Sequence, residues 1–413
     1  MVSSPLTVTP RYLLAVVVVG LGSGVAGAAL TLLLHAVQRV VFGYTGSLTF
    51  LVGVEHASPA RRVIGMTIAG VIIAPAWWLL RSRRTLVSVP AALRDEQVRL
   101  PGARTTVDAV LQIVAVGAGA SLGREGAPRQ LAGAIAVRVG EWLALDATQR
   151  RVLLACAAGA GLGAVYNTPL AGAAFAVEIL LLTTDLLQIG TAAVVSAVAV
   201  VVAWPVVSSD PTYVIGAHRV GGGSWIWAVL AGPLCWAAGR GWLALMAAAK
   251  SRDPDSPTRD LPWRMAGAMC AVGVVAIALP QITGNGKGIM QTVTGAGTIG
   301  AGLLALLVIA KPLVTALCLR GGLVGGLITP SMSTGAAIGA LVSLGLGQVL
   351  GSTSMVVCAM VGAAAMLAAT QHAPITAAVF MLELAHAPWQ LMPPIFVAVA
   401  VVGMLEHRLP MRR

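Results

Sequence analysis

Gly123-Arg124-Glu125-Gly126 decides how this chain is read, because it sets an arginine and a carboxylate inside sequence that otherwise reads as membrane interior. A charged side chain at the bilayer centre costs roughly 2.5 to 3.5 kcal/mol, so such residues face a protein cavity, pair, or line an ion path. The flanking glycines carry no side chain. Backbone amides there can approach a ligand closely, as they do where loops lead into helix N-termini that hold anions. The stretch is read as an anion site. The alternative, a structural ion pair between Arg124 and Glu125, is disfavoured because adjacent residues on a helix diverge.

Outward from this stretch, composition sets the class. Of 413 residues 57% are hydrophobic and only 10% charged, too little polar surface for a soluble fold of this length. A spanning helix needs about 20 apolar residues, and such runs follow one another from Tyr12 to Leu405, enough for ten or more spanning or partly spanning helices. The alternation of a membrane barrel is absent, which leaves helices to satisfy the backbone in lipid. The predicted class is all-α, a polytopic membrane protein, with one membrane domain over 1–413.

The net charge of +12 would point to nucleic acid in a soluble protein, but the basic residues sit in short loops between apolar runs. Arg81, Arg83, Arg84, Arg94 and Arg99 form one cluster, Lys250, Arg252, Arg259 and Arg264 another, and Arg408, Arg412 and Arg413 a third. By the positive-inside rule all three, and both termini, are expected on the cytoplasmic side of a cell membrane, with no nucleic-acid partner. The first run, from Tyr12 to about Val37, is too long for a signal-peptide core. Cys156, Cys235, Cys270, Cys318 and Cys358 are isolated, so no disulfide or zinc site is expected. Gly22-Ser-Gly24-Val-Ala-Gly27 matches a dinucleotide-binding pattern by letters, yet no strand precedes it, so close helix packing is the better account.

Apolar sequence ends and restarts at Gly123, so a helix ends near the membrane middle and another begins there. Such breaks are tolerated only where freed backbone faces protein or a watery cavity, and their ends bind ions in transporters. A polar connection is expected from Arg81 to Asp108, an N-cap at Asp146, a second break at Asn167-Thr168-Pro169, and a helix from Leu170 to Leu182 carrying Glu178. The linker 251–262 separates approximate halves 12–250 and 263–407. These halves repeat. Pro169, Phe175 and Glu178 match Pro374, Phe380 and Glu383, each 205 residues on, and Gly123 falls opposite Gly326, 203 on. The fold expected is two inverted repeats with the binding site where they meet.

Gly123-Arg-Glu-Gly126, Asn167-Thr-Pro-Leu-Ala-Gly172 through Glu178, and Gly325-Gly-Leu-Ile-Thr-Pro330, in this order, together resemble the CLC family of chloride channels and chloride/proton antiporters. The resemblance implies a homodimer with an anion pathway in each protomer, built from about eighteen helices. It implies that Glu125 is the gating carboxylate, which competes with the anion for its site. Leu327 and Ile328 fall where backbone amides hold the anion, Ile328 replacing a common phenylalanine. Gly123, Arg124, Gly126 and Gly326 complete the expected anion-binding set, and no cofactor is implied.

Three departures qualify the expectation. The antiporters' inner proton glutamate falls at Ile179, which carries no proton; Glu178 beside it is a proton-transfer candidate, against a structural carboxylate at a helix end near the dimer interface. The family's anion-binding serine falls at Val87 when the stretch Leu86-Val87-Ser88-Val89-Pro90 is anchored on its proline, and one residue on at Ser88 otherwise; Ser88 is kept as an anion-binding candidate. No tyrosine follows Tyr213, so the inner tyrosine gate is missing. Only about eight residues follow Leu405, so no cytoplasmic nucleotide-binding domain is expected. The function read from all this is transport of chloride or a similar small anion gated by Glu125, channel-like or weakly proton-coupled. The alternatives are an antiporter with a water-based inner proton path, a fluoride-selective relative, or a non-conducting regulatory paralogue. His35, His56, His218, His372, His386 and His407 lack metal-ligand spacing, and no nucleophile has a plausible base, so an enzyme is not expected.

Overall fold

The computed structural model describes residues 6–43, 49–83, 86–95, 100–216, 218–250, 258–295, 297, 299–350 and 353–409. Most of the linker 251–262, and Arg84, Arg99, Arg252, Arg412 and Arg413 of the basic clusters, lie outside the described residues. The described chain is helical. The first half holds α1 (Pro10–Phe42), α2 (Phe50–His56), α3 (Pro59–Arg83), α4 (Val89–Arg94), α5 (Gly102–Gly117), α6 (Gly126–Trp142), α7 (Ala147–Tyr166), α8 (Pro169–Phe175), α9 (Leu186–Val207) and α10 (Gly222–Ala249). The second holds α11 (Leu261–Ala278), α12 (Lys287–Thr294), α13 (Ala301–Arg320), α14 (Ile328–Leu350), α15 (Met355–Gln371), α16 (Pro374–Leu384) and α17 (Met392–Arg408). Among the described residues, eight helices are long and apolar enough to cross a membrane. The protein is a multi-pass membrane protein.

Local sequence explains the ends. Thr9 caps α1 through Oγ1, which accepts from the Tyr12 amide at 3.2 Å, and Pro10 starts the helix where a missing N–H costs nothing. Asp146 and Gln149 form a reciprocal capping box at α7, as the sequence predicts an N-cap there.

The repeat is visible in the backbone itself. The chain leaves α7 through Asn167 in the left-handed region (φ 56°) and leaves α15 through His372 in the same conformation (φ 54°). Gly119 (φ 111°) and Gly322 (φ 93°) turn the chain out of α5 and α13 in the same way. Each is followed by one bond back to the helix, Ala120 N–H to Ala115 O and Leu323 N–H to Cys318 O. The two central helices are equally alike: every residue from 152 to 166 and from 356 to 370 is buried. Small residues make this closeness possible. A Cβ at Gly159 would collide with the Gly172 carbonyl, and one at Gly335 with that of Gly362. Gly24 and Gly27 likewise lie flush against α9 and α7, which confirms packing as the use of the Gly22 to Gly27 pattern.

One expectation is corrected. The stretch from Arg81 to Asp108 is not a continuous polar connection: Arg81 still belongs to α3, and α5 begins at Gly102. Both charges are buried because each finds a partner, Arg81 on the Gly322 carbonyl at 2.9 Å and Asp108 on Trp77 Nε1 at 2.8 Å.

The candidate anion site between the repeats

The two glycine breaks meet. Gly123 N–H donates to Gly326 O and Gly326 N–H to Gly123 O, both at 2.7 Å, an isolated antiparallel bridge joining one repeat to the other. This places α6, which starts at Gly126, and α14, which starts at Ile328, with their N-termini at one point. The positive ends of two helix dipoles converge there, a setting that favours negative charge.

Glu125 supplies that charge. It occupies the N-cap position of α6 but makes no cap bond to its own helix. Its carboxylate instead crosses to the other repeat, where Oε1 accepts from the Thr329 amide at 2.7 Å and from the Thr329 hydroxyl. The residue is fully buried, and Oε2 has no hydrogen-bond partner among the described residues. A Cβ on either Gly123 or Gly326 would fall on Oε2. The bridge glycines therefore give room for an oxygen, not donors to it, since each N–H is used on the other glycine.

Arg124 points elsewhere. Its guanidinium donates to Val165 O at 2.7 Å and lies 4.5 Å from the centre of the Tyr166 ring. It faces a basin of about 440 Å³ whose lining also includes Arg39, Lys287 and Asp210. Basic groups thus outnumber acidic ones along this approach. Tyr166 links the basin to the surroundings of Glu125: its hydroxyl accepts from Asn285 Nδ2 at 3.2 Å and reaches the Thr329 side chain, while Phe380 packs edge-on against its ring at 5.4 Å.

On another side, Ile328 and Ile179 share a cavity of about 10 Å³ with Phe175, Phe380 and Leu367. That is room for a single water at most, in an apolar lining. Glu178 does not enter it. Its carboxylate accepts from the amides of Ile375 (3.0 Å) and Thr376 (2.7 Å) at the start of α16, and Glu383 in return accepts from Leu170 (2.9 Å) and Ala171 (2.7 Å) at the start of α8. Ser88 is exposed and uses its hydroxyl to cap α4, accepting from Ala91 N–H at 3.3 Å. The sequence reading thus finds Glu125, Gly123, Gly126 and Gly326 together with the α14 N-terminus that begins after Leu327. Ser88 and Glu178 are engaged in capping.

Residues 65–405 match the family profile described as voltage gated chloride channel. The chain belongs to the CLC family. It is 28% identical over 380 residues to the voltage-gated ClC-type chloride channel ClcB of Escherichia coli O139:H28, with 86% of each chain covered, and equally to ClcB of strain K12. Among solved structures it is similar to a slow cyanobacterial Cl⁻/H⁺ antiporter (TM-score 0.81, 21% identity, 98% of this chain and 96% of the other). A CLC-type fluoride/proton antiporter superposes with TM-score 0.75 at 18% identity, covering 97% of both chains. At these identities the structures speak for the fold.

Two residues around Glu125, Thr329 and Tyr166, escape the sequence reading, as do two buried charges, Asp108 and Lys311. Lys311, fully buried in α13, donates to Ser121 Oγ (2.8 Å), Gly284 O (2.8 Å) and Ile282 O (3.2 Å), so its three protons are all used. Asp108 and Lys311 stand 203 residues apart, the spacing that relates Gly123 to Gly326. They are counterparts of opposite sign in the two repeats.

Proposed function

We propose that this protein moves chloride, or a small anion like it, through a pathway that the Glu125 carboxylate closes. The observation that carries the reading is the seat of that carboxylate. It lies on a helix N-terminus, between two glycines that leave room for it, with one oxygen unpartnered. A carboxylate oxygen and a halide ask for the same surroundings. When Glu125 swings out, the α14 N-terminus around Leu327 and Ile328 is available to an anion drawn in past Arg124 and Lys287.

Transport is channel-like or only weakly proton-coupled, since the place of the family's inner glutamate is Ile179, in a cavity of about 10 Å³ with no titratable group in its lining. Glu178 acts as a structural carboxylate, and Ser88 does not bind the anion. The protein works in a cell membrane with both termini cytoplasmic and as a homodimer, for which exposed Leu170, Leu182 and Ile375 offer apolar surface.

The test is chloride efflux from liposomes holding the purified protein, with pH recorded in the same run, for wild type and Glu125→Ala. Chloride release that Glu125→Ala accelerates and frees from pH supports the reading. Silence for chloride, fluoride and nitrate alike would favour a non-conducting paralogue, and a fluoride preference a fluoride-selective one.

A further inference from the structure

A buried carboxylate within a membrane protein calls for an explanation, because its cost is met only by partners or by use. Asp108 on α5 is 2% exposed. Its Oδ1 accepts from Trp77 Nε1 and its Oδ2 from Gln112 Nε2, both at 2.8 Å. Gln112 Nε2 also donates to Gln130 Oε1 at 2.9 Å. The polar thread ends beside the gate: Gln112 is 1% exposed, and its carboxamide oxygen lies against Gly126, the residue after Glu125. That oxygen has no hydrogen-bond partner among the described residues.

We propose that Asp108 is the proton-exchanging carboxylate of this protein, passing protons to and from Glu125 along Gln112 and Gln130. The inference rests on the reading of Glu125 as the gate and deepens it, naming the source of any proton that reaches that gate. The unpartnered Gln112 Oε1 is a buried acceptor adjoining the gate, the kind of atom on which a water donates, and it is such a water, not the amide, that carries the proton. The carboxamide also suits both states of Asp108. With Asp108 ionised, Nε2 donates to it; a half-turn of the amide presents Oε1 to the protonated acid.

The step balances simply. The proton leaves Asp108, which becomes a carboxylate held by Trp77 and Gln112, and arrives at Glu125, which becomes neutral. A neutral Glu125 loses the charge that holds it at the Thr329 amide, and an anion takes its place. The charged groups around this route are Arg81 on α3, whose guanidinium lies 5.5 Å from the Trp77 ring centre, and Arg104 on α5, bonded to Leu80 O. Arg129 on α6 donates to Glu125 O at 2.9 Å. His35 and Arg39 of α1 stand with Val116 at the basin end of α5. The conventional inner position offers no comparable route, since Ile179 lines a pocket without a titratable group.

The experiment records chloride and proton movement together in liposomes for wild type, Asp108→Asn and Asp108→Glu. Infrared difference spectra of the same proteins between acidic and alkaline buffer look for a carboxylic acid band. The expected result is proton movement in wild type, its loss with chloride efflux still measurable in Asp108→Asn, its return in Asp108→Glu, and a carboxyl band missing from Asp108→Asn alone. Proton movement unchanged in a folded Asp108→Asn overturns the inference, as does a wild type that releases chloride without protons; in both cases Glu125-gated transport stands. A wild type that moves no anion removes that reading and this inference with it. Should Asp108→Asn not fold, a wild-type carboxyl band that survives Gln112→Leu with normal proton movement overturns the proposal, and loss of both supports it.

Discussion

At the scale of single residues the site is a contest for one small space. Gly326→Ala places a methyl where Glu125 Oε2 now sits, so neither carboxylate nor anion fits well. Efflux should fall in Gly326→Ala and stay low when Glu125→Ala is added, whereas Glu125→Ala alone raises it; a fast double variant would show that the cradle is not on the path. Thr329→Val keeps the amide bond to Glu125 and removes the hydroxyl bond. A hydrogen bond to a charged group is worth about 1.5 to 3 kcal/mol, so the closed state should weaken and efflux at neutral pH rise, read in the same liposome assay. Glu125 was legible because two charges and two glycines interrupt an apolar run. Lys311 gives an equal signal, a charge in the middle of Ala301–Arg320 with none other before the terminal Arg320, and could have been found by the same rule. Thr329 and Tyr166 were not legible: a threonine and a tyrosine at helix ends are commonplace, and only the meeting of distant segments gives them a gate to hold.

Among the elements, helix ends carry most of the information. Asn167 takes the left-handed conformation that ends α7, and its side chain also accepts from Trp204 Nε1 at 2.8 Å and donates to Ser209 O at 2.9 Å. Asn167→Gly would suit the backbone better yet orphan the indole N–H. The net outcome should be destabilisation by about 1 kcal/mol, the net worth of an ordinary hydrogen bond, seen as a lower unfolding temperature in detergent. Glu178→Ala and Glu383→Ala should each lower that temperature too, by an amount corresponding to ~1 kcal/mol for a lost cap. Glu178→Ala should leave the proton-to-chloride ratio as in wild type; a changed ratio would restore Glu178 as a proton carrier. Helix starts at Pro169 and Pro374 and the cap at Asp146 could be read from the sequence, because proline and capping side chains act locally. The course of the chain between Arg81 and Asp108 could not, since scattered charges read as a loop until Gly322 O and Trp77 are known to lie beside them.

For the whole molecule, the two-repeat plan was visible in residues 205 apart and is confirmed by backbone turns that agree to within a few degrees at Asn167 and His372. Which of the repeats' features differ was not visible, because a repeat found through its matches says nothing about an Asp108 in one half where the other has Lys311. The exchange of caps ties this plan to synthesis. Glu178 is made before the amides of Ile375 and Thr376 that it will hold, so α16 finds its partner waiting. The reverse contact has no such order: the α8 amides of Leu170 and Ala171 leave the ribosome some two hundred residues ahead of Glu383. Through that interval the α8 amides lack the carboxylate that holds them in the finished fold. A ribosome stalled short of residue 383 therefore leaves the start of α8 without its clasp.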